Sequence, residues 1–126
     1  MDNPYWIIDE IIIFKPQFNE PLDNYSNIIS KCIGLIFSNY TDPKIAIETN
    51  NKYFHNYQDK YSKSLFNQQS KYNHKLDNLP NSVEYLELNK NYTHPIQKIP
   101  SNLTMIKCSS QYKYINNFNN LILTKY

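Results

Sequence analysis

Tyr72-Asn73-His74-Lys75-Leu76-Asp77-Asn78-Leu79-Pro80-Asn81-Ser82-Val83-Glu84-Tyr85-Leu86-Glu87-Leu88-Asn89-Lys90-Asn91 is followed, without a gap, by twenty residues of the same pattern. In that second copy Tyr92, Ile96, Ile99, Pro100, Leu103, Ile106 and Cys108 fall on Tyr72, Leu76, Leu79, Pro80, Val83, Leu86 and Leu88. Self-similarity at a fixed period near twenty residues marks a stack of coils. Within a copy, apolar residues recur at three-residue steps from Leu76 to Leu79 and from Pro80 through Val83 to Leu86, and then alternate across Leu86-Glu87-Leu88. Alternation predicts a short strand with Leu86 and Leu88 turned inward and Tyr85 and Glu87 outward. The Leu79-Pro80 step favours an extended return segment. One such coil buries too little to offset the entropy of ordering it, so neighbouring coils must share a core.

The pattern continues on both sides. Ile11 to Phe14 is the first expected strand, with Ile12 and Phe14 in the inward slots. Residues 18 to 39 read as a coil with Cys32, Leu35 and Phe37 in the strand slots and Tyr40 opening the next unit. Beyond Gln111, Tyr112, Ile115, Phe118 and Leu121 keep the spacing with two residues deleted, and both prolines of the motif are missing. Residues 41 to 71 fit worst. Tyr53, Tyr57, Tyr61 and Leu65 recur at every fourth residue, as on one helical face packing onto the flank of the stack. Ile45 and Ile47 could form a strand, or Asp42 and Pro43 could cap a helix, and the sequence leaves both open. The expected fold is mainly β: a right-handed, parallel, leucine-rich-repeat-like solenoid with extended returns and an irregular middle. A single repeat domain spans residues 1–126, with coils at 18–39, 40–71, 72–91, 92–111 and a truncated 112–126, open at its C-terminal end.

Composition narrows the function. Asn, Ile, Lys, Tyr and Phe supply 66 of the 126 residues and Arg is absent, a bias towards AT-rich codons. The net charge of +2 is unevenly spread. Residues 1–48 hold seven acids against three lysines, whereas 52–75 hold five lysines against Asp59. So small a net charge does not gather nucleic acid by field alone. With Gly34 the only glycine, no glycine-rich phosphate loop can be built. The run from Tyr5 to Phe14 is broken by Asp9 and Glu10, so neither a signal peptide nor a membrane span is expected, and a cytoplasmic location follows. Cys32 and Cys108 fall on apolar positions and read as buried free thiols in a reducing compartment.

Leu76-x-x-Leu79-Pro80-x-x-Val83-x-x-Leu86-x-Leu88-x-x-Asn91 resembles a short leucine-rich repeat of the Leu-Pro type. Phe18-Asn19-Glu20-Pro21-Leu22-Asp23-Asn24, Tyr72-Asn73-His74-Lys75-Leu76-Asp77-Asn78 and Tyr92-Thr93-His94-Pro95-Ile96 resemble, more narrowly, FNIP repeats. These are abundant in giant DNA viruses of amoebae and in social amoebae, often behind an F-box. Repeat-like sequence begins by Ile11, so no F-box is expected ahead of it. The resemblance implies a non-enzymatic protein-interaction solenoid, and in a leucine-rich unit Asn91 would close the strand by bonding turn backbone.

Candidate sites follow from these placements. The outward strand surface of Tyr85, Glu87, Asn89, Lys90, Met105, Lys107 and Ser109 is the expected surface for a protein partner. Glu87 and Lys107 should face each other across adjacent strands as an exposed pair. His74 and His94 stand in register, but the third equivalent is Tyr114, so loop histidines are expected rather than metal ligands. Ser and Asp occupy turn positions and assemble no nucleophile, base and orienter, so no catalytic residue and no cofactor is expected. Two alternatives remain: a structural remnant that self-associates through its open last coil, and stacking of single-stranded bases on the basic, tyrosine-rich residues 52–75.

Overall fold

The computed structural model describes residues 3–38 and 70–118 and the backbone of 122–125. Tyr40, the choice between strand and cap at 42–47, the Tyr53 to Leu65 stripe, most of the basic 52–75 segment and Leu121 lie outside the described residues.

Among the described residues six short strands form one sheet in sequence order: β1 (Tyr5–Ile8), β2 (Ile11–Phe14), β3 (Gly34–Phe37), β4 (Tyr85–Glu87), β5 (Met105–Cys108) and β6 (Ile122–Lys125). β1 and β2 are antiparallel, and every later pair is parallel. The register brings Ile12, Leu35, Leu86, Ile106 and Leu123 into one row. The first four of these are fully buried in a single core with Phe14, Phe37, Leu88 and Cys108, so the expected inward slots are the observed ones.

One backbone device recurs at the mouth of the strands. The Glu10 carbonyl accepts from the amides of Ile33 (2.8 Å) and Gly34 (3.4 Å). The Ile33 carbonyl does the same for Glu84 (2.7 Å) and Tyr85 (3.1 Å), and the Glu84 carbonyl for Thr104 (2.9 Å) and Met105 (3.2 Å). β3 therefore pairs directly with β4. Unit 18–38 thus adjoins unit 72–91, and the Lys71 amide donates to the Pro16 carbonyl (2.8 Å), while the expected coil at 40–71 lies almost wholly outside the described residues.

Proline decides the form of each return. Between Tyr72 and Val83, and between Tyr92 and Leu103, the chain contains no helix, as Pro80 and Pro100 require. The first coil has no proline at that place and gains residues there. Its return folds into a 3₁₀ turn at Leu22–Tyr25 and a short helix α1 (Ser26–Ile29), not the extended segment expected from the motif. The last unit, which lacks both prolines, likewise forms a 3₁₀ turn at Ile115–Phe118.

The sequence did not announce β1. The hairpin turn consists of Asp9 and Glu10 alone, with φ of 52° and 67°, the left-handed geometry of a two-residue primed turn. Asp9 tolerates the left-handed region, but Glu10 is ill suited to it and costs about 1 kcal/mol there. Replacing the pair by Asp9→Asn with Glu10→Gly should stabilise the protein by about 1 kcal/mol in denaturant unfolding, and an unchanged or lowered midpoint would contradict this turn.

Candidate interaction surface

The seven outward positions divide sharply. Tyr85 and Met105 are partners in register and both are half-buried. Next to them in the same row stands Gly34, where an added Cβ would lie 3.1 Å from Ile11 Cγ1. Burial pushes the Tyr85 phenol well above its ordinary value, and the neighbouring Glu87 carboxylate pushes it further. Lys90 is exposed and Ser109 half-buried.

Glu87 and Lys107 correct the expectation of a solvated face. They pair across β4 and β5 with Lys107 Nζ 3.6 Å from Glu87 Oε1, but each residue is only 6% exposed. They continue a row begun by Ile13 and Ile36, which are also buried. Parallel strands are commonly covered on both faces, and this sheet follows that rule along its central row. The unbroken Ile11-Ile12-Ile13-Phe14 run carried that signal in the sequence.

Asn89 corrects a second expectation. It is 2% exposed and not part of an accessible surface. Its Nδ2 donates to the Ser70 carbonyl (3.2 Å), Ser70 Oγ (3.0 Å) and the Tyr72 carbonyl (2.7 Å). Asn89 therefore fastens the end of unit 72–91 to its own beginning, close to Asn91, the expected strand closer, which is exposed. Ser109 holds the next register position, and its Oγ accepts from the Gln111 amide (3.1 Å).

Polar side chains that read as turn formers work between coils. Asn19 Oδ1 accepts from the Asn73 amide (3.0 Å) and Asn73 Oδ1 from the Thr93 amide (3.2 Å). Asp77 Oδ1 accepts from the Gln97 amide (2.8 Å) and Asn81 Oδ1 from the Ser101 amide (3.1 Å). His74 and His94 belong to the same system: their Nε2 atoms lie 3.2 Å from the Asn19 carbonyl and 2.9 Å from the Asn73 carbonyl, and so carry the proton and donate. Among the described residues no group of three His, Cys, Asp or Glu side chains could hold a metal ion. The first residues of successive coils stack as a column, with ring centroids 5.8 Å apart from Phe18 to Tyr72 and 6.3 Å from Tyr72 to Tyr92. The Tyr92 hydroxyl donates to the His74 carbonyl (2.8 Å), and Tyr112 repeats this bond to His94. Burial holds the phenols of both far above their ordinary value, so they remain donors.

A mainly β chain whose units contribute one strand, one ring and one set of side-chain rungs to a common stack is a repeat protein. Its repeat is identified by residues 72–111, which match the family model of the FNIP Repeat. The chain thus contains FNIP repeat sequence over residues 72–111. No curated protein and no solved structure matches it. No helix among the described residues is long and apolar enough to cross a membrane.

A buried ion pair stabilises less than an apolar pair of the same shape, while one partner left alone is costly. Lys107→Met should therefore lower stability by about 3 kcal/mol. Glu87→Ile with Lys107→Ile, which extends the Ile13–Ile36 row, should fall within about 1 kcal/mol of the parent or exceed it. Urea unfolding of the three proteins reads both values, and a double variant worse than the single would refute the pairing.

Proposed function

We propose that this chain is a non-enzymatic protein–protein interaction module, a short leucine-rich-type solenoid that presents its strand surface to a protein partner. The observation that supports this most is the in-register pair Tyr85 and Met105: two large side chains, half-buried, on adjacent strands whose inward neighbours Leu86 and Ile106 are fully buried. Parallel strands about 4.8 Å apart hold such side chains at fixed spacing. Anchors of this kind, set among contacts of little energy, dominate interfaces. Exposed Lys90 and half-buried Ser109 form the polar edge of the same surface. The buried free thiols Cys32 and Cys108 suit a reducing, cytoplasmic setting. With Glu87, Asn89 and Lys107 buried, the proposed contact residues are Tyr85, Met105, Lys90 and Ser109.

Affinity capture from expressing cells, comparing the parent with Tyr85→Asp plus Met105→Asp, tests this reading. A partner held by the parent should be lost from the double variant, whose far-UV spectrum must match the parent. Equal capture by both would move the docking surface elsewhere, and a parent that captures nothing would contradict the interaction reading itself.

A further inference from the structure

The stack is not uniform. Units 72–91 and 92–111 are joined at three heights by Asn73, Asp77 and Asn81, each accepting from an amide of the next coil. Units 18–38 and 72–91 share only the first of these joints, made by Asn19. At the second height Asp23 stands where Asp77 stands one coil later, yet among the described residues no bond joins it to the Asp77 amide. The hydroxyl column fails at the same junction: Tyr92 and Tyr112 reach carbonyls of the preceding coil, whereas the Tyr72 hydroxyl, in a residue 1% exposed, has no partner. The cause is the helical return of the first coil just after Glu20, where its neighbour's return contains no helix.

Where the two returns part, a groove of about 490 Å³ opens between them. Its apolar floor comes from Leu22 and Ile29 on one wall and Leu76 and Leu79 on the other. Asp23 and Asp77 stand on opposite walls, and Lys75 offsets one of these charges, leaving a net negative rim. The volume suits a few side chains rather than a folded domain. Asp77 has an oxygen left after serving the Gln97 amide.

We infer that this groove is a peptide-docking site for a short extended segment carrying an aliphatic side chain next to a lysine or arginine. The aliphatic group sits on Ile29, Leu76 and Leu79, and the cation lies between Asp23 and Asp77. This rests on the reading of the chain as an interaction module and names the chemistry of a partner segment on a different face from Tyr85 and Met105.

Fluorescence anisotropy of the full chain with labelled hexapeptides tests it: Gly-Ser-Leu-Lys-Ser-Gly, the same peptide with Glu for Lys, and the same with Ala for Leu. The Leu-Lys peptide should bind saturably, with the other two roughly tenfold weaker or worse. Asp23→Lys and, separately, Ser26→Trp should abolish binding; both residues are exposed, and unchanged thermal melting verifies the fold. No saturable binding of the Leu-Lys peptide, or binding that both variants leave intact, overturns the groove assignment. Binding lost instead in Tyr85→Asp plus Met105→Asp overturns the groove while leaving the interaction reading in place.

Discussion

A single peptide carbonyl at the mouth of each strand sets this structure. Glu10, Ile33 and Glu84 each offer one oxygen to the two amides that open the following strand, and the register that results places every other repeated atom. It puts Leu86 beside Ile106 in the core and Tyr85 beside Met105 on the other face. It also puts Asn73 level with Thr93, and Asp77 with Gln97. A shift of one residue would exchange the faces of the strand and expose the core row. The core and the register therefore specify each other.

The abundance of asparagine acquires a structural meaning in this frame. A coil of twenty residues has a short strand and a long return, and the return has few backbone partners of its own. Its amides still require acceptors. Asn19, Asn73, Asp77 and Asn81 supply them from the preceding coil. Codon bias accounts for how many asparagines the chain has, and the rungs account for where these ones stand.

Much of the fold was legible because the period is exact between Tyr72 and Gln111 and a strand reveals itself by alternation. The inward residues, the parallel order and the pairing of Glu87 with Lys107 all follow from that period. Three features escaped for physical reasons. Burial of the second face depends on what lies above the sheet, which the alternation of Leu86-Glu87-Leu88 does not encode, although the isoleucine run at 11–13 hinted at it. The hairpin of β1 turns on Asp9 and Glu10 in a geometry that usually calls for Asn-Gly, so its sequence signal was absent. The bonds of Asn89 to Ser70 and Tyr72 were not foreseen because the motif marks Asn91 at the strand end and Ser70 lies outside the repeat. Of the candidate surface the period gave the register of Tyr85 with Met105 but not the depth of their neighbours, three of which are beneath the surface.

The helical return of the first coil shows what the prolines do elsewhere. The two returns that carry Pro80 and Pro100 contain no helix and lie close enough for side-chain rungs. Where that proline is missing, the chain turns helical and the coils part. The central claim, that each coil's amides are held by side chains of the coil before it, is tested most directly by hydrogen exchange at Gln97 and Ser101. Both residues are exposed, and their amides are served by Asp77 and Asn81. Their amides should be protected in the parent, and Asp77→Ala and Asn81→Ala should each release the amide they serve and leave the other slow. Exchange at the rate of an unstructured peptide at both positions in the parent would contradict the account.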